Sequence, residues 1–477
     1  MRALLIITQI IILLSSTKAQ SLYKQIGANF VTLDEDRDHS SSVDISNDGN
    51  FIAIGSPHAG TSEQGEVKVY NSVLESDGSV SFQQVGDIIT GKIEGAHVGL
   101  SVALSEDAKV LVIGDLLDDI DQKGRVSIYT LSDSIWKLIG EFEGQNARDF
   151  FGFKVDISTD GKTVLASGFN FVQIYQCTEN ECISSSDMIS FPNMSIQDAR
   201  LGNEGKTFVV GAFDTDQEAP DGEIFVYTFQ NDVWVRSQVS FAGNARDRAG
   251  FSVAVIEEGD NISVAYGSPR SNGIADNGGQ VTVVKSDDAA QTFEEPNIIN
   301  GERINGVLGL TLDISMNGDV LIATSLAENG ASQYNVFERQ MDTGSLELIE
   351  TFQRERVDQG TVRALGSRLN ASGRRFIISS PDVENSNNIA RVFEDGRSMK
   401  PSVSPSPSIS LSPSFFSKSS KSKGSKGKGK GTKGKGSKAS KSKGSKGKGK
   451  GVKSFKSKQP YSSKGKGKYR NSNDYDE

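Results

Sequence analysis

The strongest constraint on this chain is that it repeats itself. Ser42-Val43-Asp44-Ile45-Ser46 leads to a turn at Asn47-Asp48-Gly49, then the apolar run Phe51-Ile52-Ala53-Ile54-Gly55-Ser56-Pro57, a polar loop, and Gly65-Glu66-Val67-Lys68-Val69-Tyr70. The same order returns six times. The second copy reads Ser101-Val102-Ala103-Leu104-Ser105, Val110-Leu111-Val112-Ile113-Gly114 and Gly124-Arg125-Val126-Ser127-Ile128-Tyr129. The third reads Val155-Asp156-Ile157-Ser158, Val164-Leu165-Ala166-Ser167-Gly168 and Val172-Gln173-Ile174-Tyr175. Later copies centre on Phe208-Val209-Val210-Gly211, Val264-Ala265-Tyr266-Gly267, Leu321-Ile322-Ala323-Thr324 and Phe376-Ile377-Ile378-Ser379-Ser380-Pro381. Taking residues 55, 114, 168, 211, 267, 324 and 380 as equivalent gives steps of 59, 54, 43, 56, 57 and 56. Self-similarity at a fixed period marks a repeat architecture, and a unit of this length accommodates four short strands with their turns.

Alternation at Val67/Val69 and Val126/Ile128 has the period of a strand, while the unbroken apolar middle run of each copy fits a strand buried on both faces. Six of the seven first turns carry glycine at or beside the tip (Gly49, Gly161, Gly205, Gly259, Gly318, Gly373), as tight hairpins with positive φ require. A fourth strand closes most copies: Phe82-Gln83-Gln84-Val85-Gly86, Trp136-Lys137-Leu138-Ile139-Gly140, Val233-Trp234-Val235. The last copy stops near Glu394-Asp395-Gly396 without one, and Tyr23-Lys24-Gln25-Ile26-Gly27 has the missing pattern. A displaced first strand that pairs with the last blade closes a ring and removes exposed sheet edges. The expected fold is all-β: a seven-bladed β-propeller over residues 20–397, closed by an N-terminal strand and followed by a disordered Lys-rich tail.

These repeats resemble the secreted FG-GAP/integrin-α-type propeller repeats, in the form found in algae and diatoms. That form has a Trp-x-Gln-x-Gly strand, an Asp-x-x-Gly-x-Ser-Val entry and an Ile-Gly-Ser/Ala exit. Asp247-Arg248-Ala249-Gly250-Phe251-Ser252-Val253 and Asp149-Phe150-Phe151-Gly152-Phe153-Lys154-Val155 carry the entry, and the resemblance covers about residues 21–396. It implies a propeller; function has to be argued from sites, because this architecture hosts adhesion, scaffolding and catalysis alike.

Charge divides the chain. Residues 398–477 hold 22 Lys+Arg and 3 Asp+Glu, a net +19, which leaves 30 (52 − 22) against 58 (61 − 3), a net −28, for residues 1–397. Arg2 followed by the apolar run Leu4–Leu14 and the small-residue end Thr17-Lys18-Ala19 reads as a secretory signal peptide over residues 1–19. That run is about half the length needed to span a bilayer, so no membrane span is expected. Residues 398–417 form a Pro/Ser-rich linker. Over 418–477 the chain is almost wholly Lys, Ser and Gly, and residues 418–431 recur as 438–451 with one difference, Ser419 against Ala439. Closely spaced ammonium groups repel and keep such a segment disordered. Lys421, Lys423, Lys426, Lys428, Lys430, Lys441, Lys443, Lys446, Lys448 and Lys450 form its anion-binding core. With its Pro-Ser spacer the tail is similar to those of diatom cell-wall proteins of the silaffin kind, which implies modified lysines and serines and a silica partner.

Within the propeller, Asp115, Asp118, Asp119 and Asp121 precede Gly124, and Asp214, Asp216 and Asp221 precede Gly222. Such carboxylates either hold Ca²⁺, as related integrin-type loops do, or are solvated acidic turns; neither loop has the Asp-x-Asp-x-Asp-Gly spacing. In a secreted chain Cys177 and Cys182 are expected to form a disulfide. Asn193, Asn261 and Asn370 head glycosylation triplets. The three histidines (His39, His58, His97) are dispersed, which argues against zinc ribbons and His-ligand arrays, so no Cys- or His-bound metal is expected. Nucleophile-elbow, zincin and phosphate-loop motifs are lacking, and Ser158-Thr159-Asp160-Gly161 is similar to a sialidase-type Asp box without its spacer.

The expectation is therefore a secreted, non-enzymatic protein of an extracellular matrix or cell wall. Its propeller loops meet a protein or glycan ligand and its tail holds anionic polymer or silica, with no nucleic acid partner. An integrin-like Ca²⁺-dependent adhesion module and a propeller glycoside hydrolase are the alternatives.

Overall fold

A computed structural model describes residues 21–32, 42–115, 121–215, 221–244, 246–328, 330–353, 366–381 and 388–398. The chain divides into two units, Met1–Lys400 and Pro401–Glu477, and the second, with all ten lysines expected to bind anions, lies outside the described residues.

Seven antiparallel sheets follow one another in sequence order, each with four strands on its main path. In blade 1 these are Ser42–Ile45, Phe51–Ser56, Glu66–Leu74 and Val80–Gln84, from the axis outward. The inner strands of blades 2 to 7 are Val98–Leu104, Lys154–Ile157, Met194–Leu201, Ser252–Glu258, Leu312–Ile314 and Gly366–Leu369. Each inner strand touches those of its two neighbours, and the last touches the first, so the ring is closed. Tyr23–Thr32 supplies the outer strand of blade 7 by pairing antiparallel with Asn388–Asp395, Tyr23 opposite Asp395 and Thr32 opposite Asn388. Tyr23 is buried, and its hydroxyl donates to Gly373 O at 2.9 Å.

The core lies between blades. Seven hydrophobic clusters occupy seven seams, each drawing on two adjacent sheets; Ala53, Val67 and Val69 of blade 1, for example, pack on Val102, Leu111 and Ile113 of blade 2. Middle strands are sandwiched on both sides, as at Val164, Leu165 and Ala166, all fully buried. Where two sheets approach most closely the backbones themselves touch. A Cβ added to Gly55, Gly114, Gly211 or Gly267 would fall 1.9–2.1 Å from the carbonyl oxygen of Gly99, Gly152, Gly250 or Gly309 in the next blade. Those same carbonyls of Gly99, Gly152 and Gly309 accept a 2.8 Å bond from Ser42, Ser101 and Ser252 of the preceding blade. The Gly-Ser exit and Gly-x-Ser-Val entry are thus two halves of one seam lock.

The first hairpins share a second device. Ser46 Oγ donates to Asp48 Oδ1 (2.7 Å) and accepts from Phe51 N (2.9 Å), and Ser105/Asp107, Ser158/Asp160 and Ser315/Asn317 repeat the pattern. Ser158-Thr159-Asp160-Gly161 is accordingly one of four equivalent hairpins. The turn glycine has φ of 58–76° at all six positions named from the sequence, and Ala108 (φ 51°) takes the place in blade 2.

Candidate functional site

Seven inner strands converge on one axial cavity of about 120 Å³. Strand alternation sends one side chain per blade toward it, and these are charged in five blades: Asp44, Asp156, Arg200, Asp313 and Arg368. The three aspartates share one geometry. Asp44 Oδ2 accepts from Leu104 N at 2.6 Å, Asp156 Oδ2 from Leu201 N at 2.9 Å and Asp313 Oδ2 from Leu369 N at 2.7 Å. Each carboxylate therefore clasps the inner strand of the following blade. Asp198 does the same from a neighbouring position, accepting from Val253 N at 3.0 Å.

Burial pushes Asp44 and Asp313 up to about 7, although the backbone amides they accept from pull the other way. Asp156 is raised for the same reason, with Arg200 opposing. Burial disfavours the charge on Arg200, but Asp198, Asp156, Asp313 and Asp44 outweigh it and hold the guanidinium charged. Arg368 Nε lies 3.3 Å from Asp44 Oδ1, and Arg200 Nε lies 3.8 Å from Asp198 Oδ2. The cavity is smaller than the few hundred Å³ typical of a ligand pocket, and its carboxylates tie adjacent blades together through backbone amides.

These aspartates are visible in the sequence at Val43-Asp44-Ile45-Ser46, Val155-Asp156-Ile157-Ser158 and Leu312-Asp313-Ile314-Ser315, where a carboxylate breaks an apolar strand. Each stands alone in its own repeat, so no cluster of acids marks them along the sequence.

The loop acids fare differently. Asp115 ends a strand rather than lying in a loop; it is buried, and its Oδ2 receives Arg125 Nε (3.1 Å) and Nη2 (2.9 Å). Asp121 is exposed and its carbonyl accepts from Arg148 N at 2.9 Å. Asp221 accepts from Arg246 N through Oδ1 at 3.1 Å, and Asp214 ends the strand Thr207–Asp214. Asp118, Asp119 and Asp216 lie outside the described residues. The entry-motif aspartates brace turns: Asp149 Oδ2 accepts from Asn146 N (2.7 Å) and Asp247 Oδ2 from Asn244 N (3.0 Å).

Cys177 and Cys182 are disulfide-bonded, facing each other across the hairpin of Phe171–Cys177 and Cys182–Ser184. Asn193 and Asn261 are exposed, whereas Asn370 is buried at 5% exposure, its Oδ1 accepting from Arg375 N at 3.0 Å. Folding corrects the premise that the histidines are dispersed. His58 and His97 meet with ring centroids 4.5 Å apart, and with Glu63 they form the one group of three such side chains, among the described residues, whose ligand atoms all lie within 4.8 Å. His39 lies outside the described residues.

No family model matches the chain, and no curated protein does. Solved structures do. A protein from Lactobacillus plantarum is 13% identical, with 71% of this chain and 94% of that one covered and a TM-score of 0.48. A functionally unknown protein from Desulfotomaculum acetoxidans is 16% identical, covering 69% and 89%, with a TM-score of 0.45. A chain of a mitotic checkpoint complex is 14% identical, covering 79% and 94%, with a TM-score of 0.48. Likeness at this level brings no activity or ligand to this chain.

Proposed function

We propose that the protein is a secreted binding protein of an extracellular matrix or cell wall, in which the propeller presents loops to a protein or glycan partner and the tail anchors the molecule to anionic material such as silica. The observation that carries this reading is the segregation of charge. A polycation of net +19 over residues 398–477, with twenty lysines between Lys418 and Lys468, is joined to a region of net −28. Silicate and acidic polysaccharide surfaces are anionic at neutral pH, and a closely spaced row of ammonium groups binds either. The channel carboxylates fit a scaffolding rather than a catalytic propeller, since each is committed to a backbone amide of the next blade.

The test compares the full chain with a variant carrying Lys→Gln at the ten anion-binding lysines, on silica particles and on acidic polysaccharide beads. Retention is expected to collapse in the variant on silica; equal retention of both forms overturns the anchoring role. Mass analysis of the intact protein from its source separates the two surfaces: alkylated lysines with phosphorylated serines support the silica form, and an unmodified tail leaves a plain polycationic anchor.

A further inference from the structure

The loop between the second and third strands of blade 1 lies against the entry to blade 2. Gly95 N donates to Ser62 O (2.9 Å), His97 N to Glu63 O (3.2 Å) and Val98 N to Gln64 O (3.0 Å). This pairing brings His58 and Glu63, from the loop, to His97, which directly precedes the inner strand of blade 2. His58 Nδ1 lies 3.6 Å, and His97 Nε2 3.7 Å, from the same oxygen, Glu63 Oε2. Both imidazole side chains are largely withdrawn from solvent, at 8% and 11% exposure, while the Glu63 side chain is 50% exposed.

Those separations are too long for hydrogen bonds. They are close to the edges of a tetrahedron around one ion: with bonds of about 2.0–2.2 Å to nitrogen and oxygen, neighbouring ligand atoms stand about 3.3–3.6 Å apart. Packing alone does not call for these residues. At the next seam the same backbone bond joins Phe150 N to Gln122 O (3.2 Å), and at the seam of blades 5 and 6 it joins Val307 N to Asn277 O (3.0 Å). Glu63, Gln122 and Asn277 share φ of 49–58°, and His97, Phe150 and Val307 share φ of 46–50°. His58 follows Ser56-Pro57 as Arg270 follows Ser268-Pro269 in blade 5. The scaffold builds the same backbone pairing with Gln/Phe or Asn/Val at these positions, and the His/Glu/His set occurs at one seam.

We infer that His58, Glu63 and His97 form a binding site for Zn²⁺. Two imidazole nitrogens and one carboxylate oxygen suit a borderline divalent ion and are a poor set for Ca²⁺ or Mg²⁺, which take six or more oxygens. The exposed side of Glu63 leaves a fourth position open to water or to an outside donor. Occupied, the ion ties the loop of blade 1 to blade 2 at the rim of their seam.

The test is titration of the chelator-stripped, untagged full chain with ZnCl₂ by calorimetry, alongside elemental analysis after dialysis. The two variants borrow the residues of the next seam, His97→Phe and Glu63→Gln, so each keeps a side chain this position accepts elsewhere in the fold; thermal unfolding verifies that they are folded. One equivalent of zinc is expected in the wild type and in His39→Ala, with affinity reduced at least about 100-fold in His97→Phe and at least about tenfold in Glu63→Gln. A millimolar excess of Ca²⁺ or Mg²⁺ is expected to leave the zinc bound. Absence of uptake by the wild type, wild-type affinity in both variants, or displacement of zinc by Ca²⁺ overturns the assignment.

Discussion

An aspartate on an inner strand is pulled two ways. The amide of the next blade stabilises its charge, while withdrawal from water opposes it, and in Asp44 and Asp313 burial wins by enough to raise the carboxyl from 3.8 to about 7. Because the folded state then binds more protons than the unfolded chain between about pH 4 and pH 7, this contribution to stability is full below pH 4 and lost as pH rises to 7, at up to about 1.4 kcal/mol per pH unit for each group. Asp313→Asn keeps an acceptor for Leu369 N and removes the titration. Relative to wild type, denaturant midpoints of this variant are expected to fall less steeply from pH 5 to pH 8; parallel profiles would refute the shift. Gly211 illustrates the other residue-scale constraint. A Cβ there would stand 1.9 Å from Gly250 O, so Gly211→Ala has to push adjacent blades apart and is expected to cost about 3 kcal/mol or more in chemical unfolding.

At the scale of the element, the hairpin of blade 3 is short, with an outer strand of only three residues, Cys182–Ser184. The disulfide compensates by closing a six-residue loop, which chain-entropy arguments value at about 2 kcal/mol. The double substitution Cys177→Ala/Cys182→Ala is expected to lower stability by about that amount, and reductant should then have no further effect on the unfolding midpoint. Strand order and hairpins of this kind were legible in the sequence because their determinants are local: alternation, turn glycines, and a strand missing at one end and present at the other. Tyr23–Thr32 sits where that argument put it. The seams were legible only as motifs. Nothing in Ile-Gly-Ser or Gly-x-Ser-Val says that the glycines are apposed, since each motif's partner lies in the next repeat. The histidine pair was hidden for the same reason, as His58 and His97 belong to different blades and come together only through the backbone pairing of the seam. The channel aspartates were visible as residues but not as a site, because a convergence of seven strands on an axis is a property of the closed ring.

For the whole molecule the governing quantity is the separation of charge along the chain. Under the proposed anchoring role, residues 1–397, at net −28, oppose the approach to an anionic surface that residues 398–477, at net +19, favour. The tail's contribution is therefore measured against an opposing term and not against zero. Screening acts on both: the Debye length falls from about 10 Å at 0.1 M salt to about 3 Å at 1 M. Full-length protein is expected to leave silica as NaCl rises, with affinity falling about tenfold or more between about 0.1 M and 1 M. The ten-lysine Lys→Gln variant, whose tail retains about half its charge, should show the reverse tendency at the low end, being excluded most strongly where salt is lowest. Retention measured across a salt series distinguishes this from adhesion through the propeller loops, which would be nearly insensitive to salt and indifferent to the tail substitutions. A flat profile shared by both forms would place the attachment in the blades and remove the anchoring role from the tail.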